Sequence, residues 1–128
     1  MSGINSVNYG INLINMTPHP VTLRGEWGEI TIQPSGQVVR AQAITHHVAS
    51  LYLDDEAGFI PVVEITYGEP EGLPDLEPNT FYIVSWIAAQ AIRKHHPEIA
   101  DRFLVPSDLV WDEQGRIVAA RALARISC

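Results

Sequence analysis

The sequence predicts an α+β domain, a mostly antiparallel β-sheet with one main helix packed on one face. Three observations carry this. Gly and Pro punctuate the chain at short intervals, and short β-like runs lie between them. One of these runs, Thr80-Phe81-Tyr82-Ile83-Val84, is continuously apolar and aromatic, the pattern of a strand covered on both faces and therefore central in its sheet. Directly after it comes the segment with clear helical spacing, Trp86 to His96, whose Ala and Ile residues recur at i, i+4.

The remaining elements follow in chain order. Val21-Thr22-Leu23 and Ile30-Thr31-Ile32 alternate apolar and polar around Gly25-Glu26-Trp27-Gly28, which reads as a hairpin with a four-residue loop. Gln37 to Ala43, Thr45 to Leu53 and Ile60 to Tyr67 read as further strands. Ser85 stands at the N-cap of the helix, Arg93, Lys94, His95 and His96 crowd its last turn, and Pro97 stops it. A short helical piece is expected within Pro97 to Phe103. Asp108 to Trp111, the turn Asp112-Glu113-Gln114-Gly115 and Arg116 to Ile126 read as a terminal hairpin.

Composition narrows the function classes. The 128 residues are 46% hydrophobic, enough for one core and one domain. No apolar run approaches the roughly 18 residues that cross a bilayer, and the N-terminus lacks a secretory pattern, so a cytoplasmic protein without membrane contact is expected. The single cysteine, Cys128, leaves no internal disulfide and no multi-cysteine metal site. Eight Lys and Arg against fifteen Asp and Glu give a net charge of −7, which opposes general nucleic-acid binding. Screening confines charge effects to about 8 Å, so a local basic site for one small anion is still compatible.

Motifs for catalysis are absent from the linear sequence. Neither Ser35 nor Ser85 lies in a G-x-S-x-G elbow, and there is no G-x-G-x-x-G or P-loop. No catalytic residue, cofactor or metal ligand is assigned. His46 and His47 are adjacent in a strand and point to opposite faces, and His95 and His96 are adjacent on a helix rather than i, i+4. The loop Glu69 to Pro78 holds four carboxylates but lacks EF-hand spacing, and reads as a stiff solvated connector. Arg121 and Arg125 read as solvent-facing charges on an edge strand.

The junction of strand 80–84 with the helix is the most informative local feature. A helix N-terminus offers unpaired N–H groups and partial positive charge, Ser85 adds a hydroxyl, and Trp86 adds a flat apolar face. The competing reading has Ser85 capping its own helix and Trp86 filling the core.

Asn15-Met16-Thr17-Pro18-His19, Pro34-Ser35-Gly36 followed by Arg40, Thr66-Tyr67-Gly68-Glu69 with Gly72-Leu73-Pro74, Tyr82-Ile83-Val84-Ser85 and Asp112 to Ile117 occur in that order. In this the chain resembles a group of small phage-borne and bacterial hypothetical proteins that open with an N-L-T-P-H segment. The resemblance covers roughly residues 12–126, with Met16 in place of Leu and a longer stretch around His95 to Phe103. It divides the chain into an N-terminal leader, 1–11, and a single domain, 12–128. What it implies is context, a phage accessory protein acting against host defence, and it brings no activity with it.

Three function classes remain. The first is a non-catalytic binder that sequesters a small anionic ligand such as a nucleotide signal. There Thr17, His19, Arg40, Tyr67, Ser85 and Trp86 form the candidate site: Thr17, Ser85 and the helix N–H groups for phosphate, Arg40 for charge, and Tyr67 or Trp86 for stacking on a base. The second is a protein-interaction module using an edge strand or the His95–His96 surface. The third is a hydrolytic or metal-assisted enzyme. A homo-oligomer, most simply a dimer, is expected.

Overall fold

Eight strands and one α-helix make up the computed structural model, which describes residues 10–127. In chain order these are β1 (Asn12–Asn15), β2 (Val21–Arg24), β3 (Glu29–Ile32), β4 (Ala43–Asp54), β5 (Gly58–Tyr67), β6 (Thr80–Ile83), α1 (Trp86–His95), β7 (Phe103–Trp111) and β8 (Ile117–Ala124). A single 3-10 turn, Ala100–Arg102, precedes β7. The leader of residues 1–11, apart from Gly10 and Ile11, lies outside the described residues, as does Cys128.

Six strands form one sheet in the order β1-β6-β7-β8-β2-β3, and β4 and β5 form a separate antiparallel ribbon. The expectation of a mostly antiparallel main sheet needs correction. β1 runs parallel to β6, β6 parallel to β7, and β2 parallel to β8, while β7–β8 and β2–β3 are antiparallel. The cause lies in the connections. Short turns make antiparallel neighbours, whereas β1 and β6 are separated by the whole first hairpin, the ribbon and a loop, and β6 and β7 by the helix. Just beyond β3, Pro34 bridges Asn15 at the end of β1, so the two edges of the sheet meet and it nearly closes into a barrel.

Asn15 makes that closure. Its side chain is buried, its Nδ2 donates to the carbonyls of His19 (2.7 Å) and Ile32 (3.0 Å), and its Oδ1 accepts from the backbone N–H (2.9 Å) and hydroxyl (2.7 Å) of Thr17. An amide is the side chain that offers two donors and two acceptors at one point, which is what three converging backbone segments require.

β6 sits between β1 and β7 and is covered on both faces, as its unbroken apolar pattern predicts. Tyr82 and Val84 share one core cluster with Ala88, Ala89 and Ile92 of α1 and with Phe103 and Val105 of β7, and Ile83 is buried on the opposite face. Tyr82 and Phe103 stack with centroids 5.3 Å apart. Burial of each of the larger side chains, such as Ile92, Phe103 and Val84, contributes about 1.5–3 kcal/mol, so this cluster anchors the helix. Ser85 caps it by accepting from the N–H of Ala88 at 3.2 Å.

Other expectations change in detail. Residues 37–42 are not a strand: only Arg40 pairs, with Glu71, in an isolated bridge. β8 is no edge strand, since it lies between β7 and β2, and Arg121 and Arg125 pair with Asp108 and Asp101 at 3.7 Å each. His96 is the C-cap with non-helical backbone, and so both it and His95 reach Glu69, His95 also meeting the Tyr67 carbonyl at 2.8 Å. The two histidines thereby tie the end of α1 to the end of β5. Loop 69–78 is less solvated than expected: Pro70 is buried, and Leu73 and Leu76 pack on the core.

Candidate functional site

A cavity of about 690 Å³ opens where three backbone segments meet: the Met16-Thr17-Pro18 turn after β1, the irregular stretch Val38–Gln42, and the N-terminus of α1 at Ser85 and Ile87. Gly68, Glu69 and Glu71 complete its wall. Its size falls in the range of small-molecule pockets, about 300–1,000 Å³.

The turn is held from below by Asn15, which also orients Thr17. The Thr17 hydroxyl lies 2.7 Å from Asn15 Oδ1 and 3.0 Å from the His19 carbonyl, so its one proton is directed into its own turn. Toward the cavity Thr17 therefore offers an acceptor, a reversal of the phosphate-donor role expected from sequence. Val39 N–H donates to the Met16 carbonyl at 3.1 Å, and Arg40 exchanges backbone hydrogen bonds with Glu71 at 2.9 and 2.8 Å. These bonds fix the middle wall. Gly72 allows the 69–72 segment to lie against it, because a Cβ there would sit 2.6 Å from the Val38 carbonyl oxygen, and its φ is +83°.

Arg40 is distinctive. Every other arginine is engaged: Arg24 with Glu29, Arg93 with Asp101 and the Ile126 carbonyl, Arg102 with the Thr80 and Glu77 carbonyls, Arg116 with Asp112, and Arg121 and Arg125 as above. Among the described residues no side-chain partner lies within reach of the Arg40 guanidinium, and Arg40 is one of the residues that line the cavity. At the opposite wall Ser85 Oγ accepts from Ala88, leaving its hydroxyl proton to donate, and no acceptor among the described residues reaches the N–H groups of Trp86 and Ile87.

Of the six candidate residues, the structure brings Thr17, Arg40 and Ser85 to one cavity. His19, Tyr67 and Trp86 are not on its lining. His19 contributes its carbonyl to Asn15 and Thr17, and Tyr67 its carbonyl to His95. Trp86 is 57% exposed, so it does not fill the core as the competing reading had it. Glu69 and Glu71 were not anticipated as lining residues, because contact between the 69–71 and 38–42 stretches is set by the fold rather than by local sequence. Glu69 is occupied by the two histidines, which leaves Glu71 as the available carboxylate.

Among the described residues no group of three or more His, Cys, Asp or Glu side chains is arranged to hold a metal ion. Nor, among the described residues, is any helix long and apolar enough to cross a membrane. Comparison of the chain with protein-family models, curated proteins and solved structures finds no match.

Proposed function

We propose that this chain is a non-catalytic binding protein whose cavity takes a small anionic ligand of the nucleotide class. The observation that carries the reading is Arg40, an arginine without a side-chain partner among the described residues, on the lining of the same cavity as the capping end of a helix. A phosphate there receives charge-assisted hydrogen bonds from the guanidinium and further donors from Ser85 and the first amides of α1. Glu71 and Thr17 supply acceptors on the same lining, which suits a ligand that carries hydroxyl or amine donors beside its anion, as a ribose or a base does. An inorganic anion alone satisfies only half of this wall. The resemblance to small phage-borne proteins extends the reading to sequestration of a nucleotide signal of host defence.

Calorimetric titration with cyclic dinucleotides and ADP-ribose-type ligands tests this. Wild type is expected to bind at least one of them. Arg40→Ala removes a charge-assisted pair and is expected to weaken that binding by roughly ten- to a hundred-fold. Ser85→Asp places a like charge at the phosphate while still capping α1, so affinity falls by on the order of 2–4 kcal/mol and the ligand-free melting temperature stays put. Equal affinity in all three proteins, or no binding by wild type, refutes the assignment.

A further inference from the structure

Arg40 and Glu71 are joined through their backbones but not through their charges. They form an isolated antiparallel bridge in which each N–H donates to the other's carbonyl, at 2.9 and 2.8 Å. Residues directly opposite each other in such a pair project their side chains from the same face, with Cβ atoms roughly 5 Å apart. Both residues line the cavity. Opposite charges so placed are positioned to pair, yet among the described residues no ion pair joins them. Gly72 keeps the spacing, since its φ of +83° and its close approach to the Val38 carbonyl seat the 69–72 segment against the cavity wall. The backbone thus sets a cationic and an anionic side chain next to each other on one lining.

We propose that Glu71 reads the ribose hydroxyls of the ligand, which makes the cavity selective for ribonucleotides over their 2′-deoxy counterparts; this rests on the reading of the cavity as a nucleotide site. Charge is the first ground. A bare phosphate on Arg40 falls within the roughly 8 Å over which charges are felt at physiological salt, so the Glu71 carboxylate repels it. A ligand that sets a hydroxyl beside its phosphate turns this repulsion into a hydrogen bond, because an ionised carboxylate is an acceptor only. Ribose has that arrangement, and an acidic side chain is the partner of its 2′-hydroxyl in dinucleotide sites of other folds. Glu69 does not share the role, as His95 and His96 hold its carboxylate. The second ground decides for the sugar rather than an amine of the base. Among the described residues none that lines the cavity is aromatic. The wall therefore has no ring on which a base could stack and be held in register with Glu71.

Calorimetric titration of the whole chain with cyclic di-AMP, cyclic di-GMP and ADP-ribose, and with the counterpart of each that lacks its ribose 2′-hydroxyls, tests the inference. Wild type is expected to hold the ribose form at least about tenfold more tightly than the 2′-deoxy form, the effect of one hydrogen bond to a charged group. Glu71→Gln keeps the side-chain shape and the bridge, whose hydrogen bonds are backbone ones. In that variant the preference is expected to fall to about threefold or less, and the 2′-deoxy form is expected to bind more tightly than it does to wild type, since the like charge beside its phosphate is gone. A merely loosened wall would weaken both forms and leave their ratio in place. If wild type binds a ribose ligand and its 2′-deoxy form equally, or if the preference survives Glu71→Gln, the inference is overturned while the nucleotide site stands. If wild type binds none of the three ribose ligands, the nucleotide reading fails and this inference fails with it.

Discussion

Replacing Asn15 by Ala removes the side chain that ties the end of β1 to the end of β3 at Ile32 and to its own turn. Four hydrogen bonds are lost, two donated to the His19 and Ile32 carbonyls and two accepted from Thr17. The Thr17 hydroxyl can redirect to the His19 carbonyl 3.0 Å away, which recovers one acceptor. The Ile32 carbonyl and the Thr17 N–H have no such substitute, and each is part-buried, so that leaving it unsatisfied costs about 1–2 kcal/mol, toward the lower end of the range for a buried group. The net destabilisation is therefore about 3 kcal/mol. For a chain of this length an unfolding entropy of about 2 cal/mol/K per residue converts it into a fall of roughly 10 °C in melting temperature. Thr17→Val serves as the matched control, because it removes the hydroxyl but keeps the backbone N–H bond to Asn15, and is expected to cost only about 1 kcal/mol. Differential scanning calorimetry on the three proteins decides the matter. If Asn15→Ala melts within about 3 °C of wild type, the closure does not depend on this residue and the reasoning fails.

Two further outcomes follow from local geometry. Gly72→Ala combines a left-handed φ with a Cβ 2.6 Å from a backbone oxygen, so it should destabilise the fold by roughly 2 kcal/mol or more and disturb the cavity wall; an unchanged denaturant midpoint would show that the 69–72 segment is free to move away. Asp101 is held below its ordinary value of 3.8 chiefly by the hydrogen bond from Arg93; desolvation opposes this as the next-largest effect, and the charges of Arg125 and Arg93 assist. Its lowered pKa in the folded state means that it stabilises the fold above its unfolded pKa and that this contribution is lost as pH falls through the folded pKa. The stability difference between wild type and Asp101→Asn is thus expected to shrink in acid titrations from about pH 5 downward, and a difference constant with pH would contradict the pairing.

Sequence by itself determined the elements that local physics specifies. The unbroken apolar run at 80–84 marked β6 as buried on both faces, Ser85 and Pro97 bracketed α1, and Gly25 to Gly28 placed the first hairpin, because capping, turn chemistry and side-chain alternation are properties of a few neighbouring residues. Of the six residues it singled out as a candidate anion site, Thr17, His19, Arg40, Tyr67, Ser85 and Trp86, the fold brings Thr17, Arg40 and Ser85 to one cavity and leaves the other three off its lining. Tertiary structure decided what depends on partners far along the chain. β1 is only four residues, too short for alternation to announce it, and exists because β6 and the segment after β3 pair with its two edges. Residues 37–42 look like a strand but find no ladder to join beyond the Arg40–Glu71 bridge. Alternation correctly marked β4 and β5 as strands but could not say that they leave the main sheet, since apolar side chains on a ribbon read the same whether or not the fold covers them. Which arginine lacks a partner is likewise invisible in sequence. A guanidinium is paired or unpaired only through residues that the fold brings within about 4 Å, and among the described residues none is brought to that of Arg40, which is on the cavity lining.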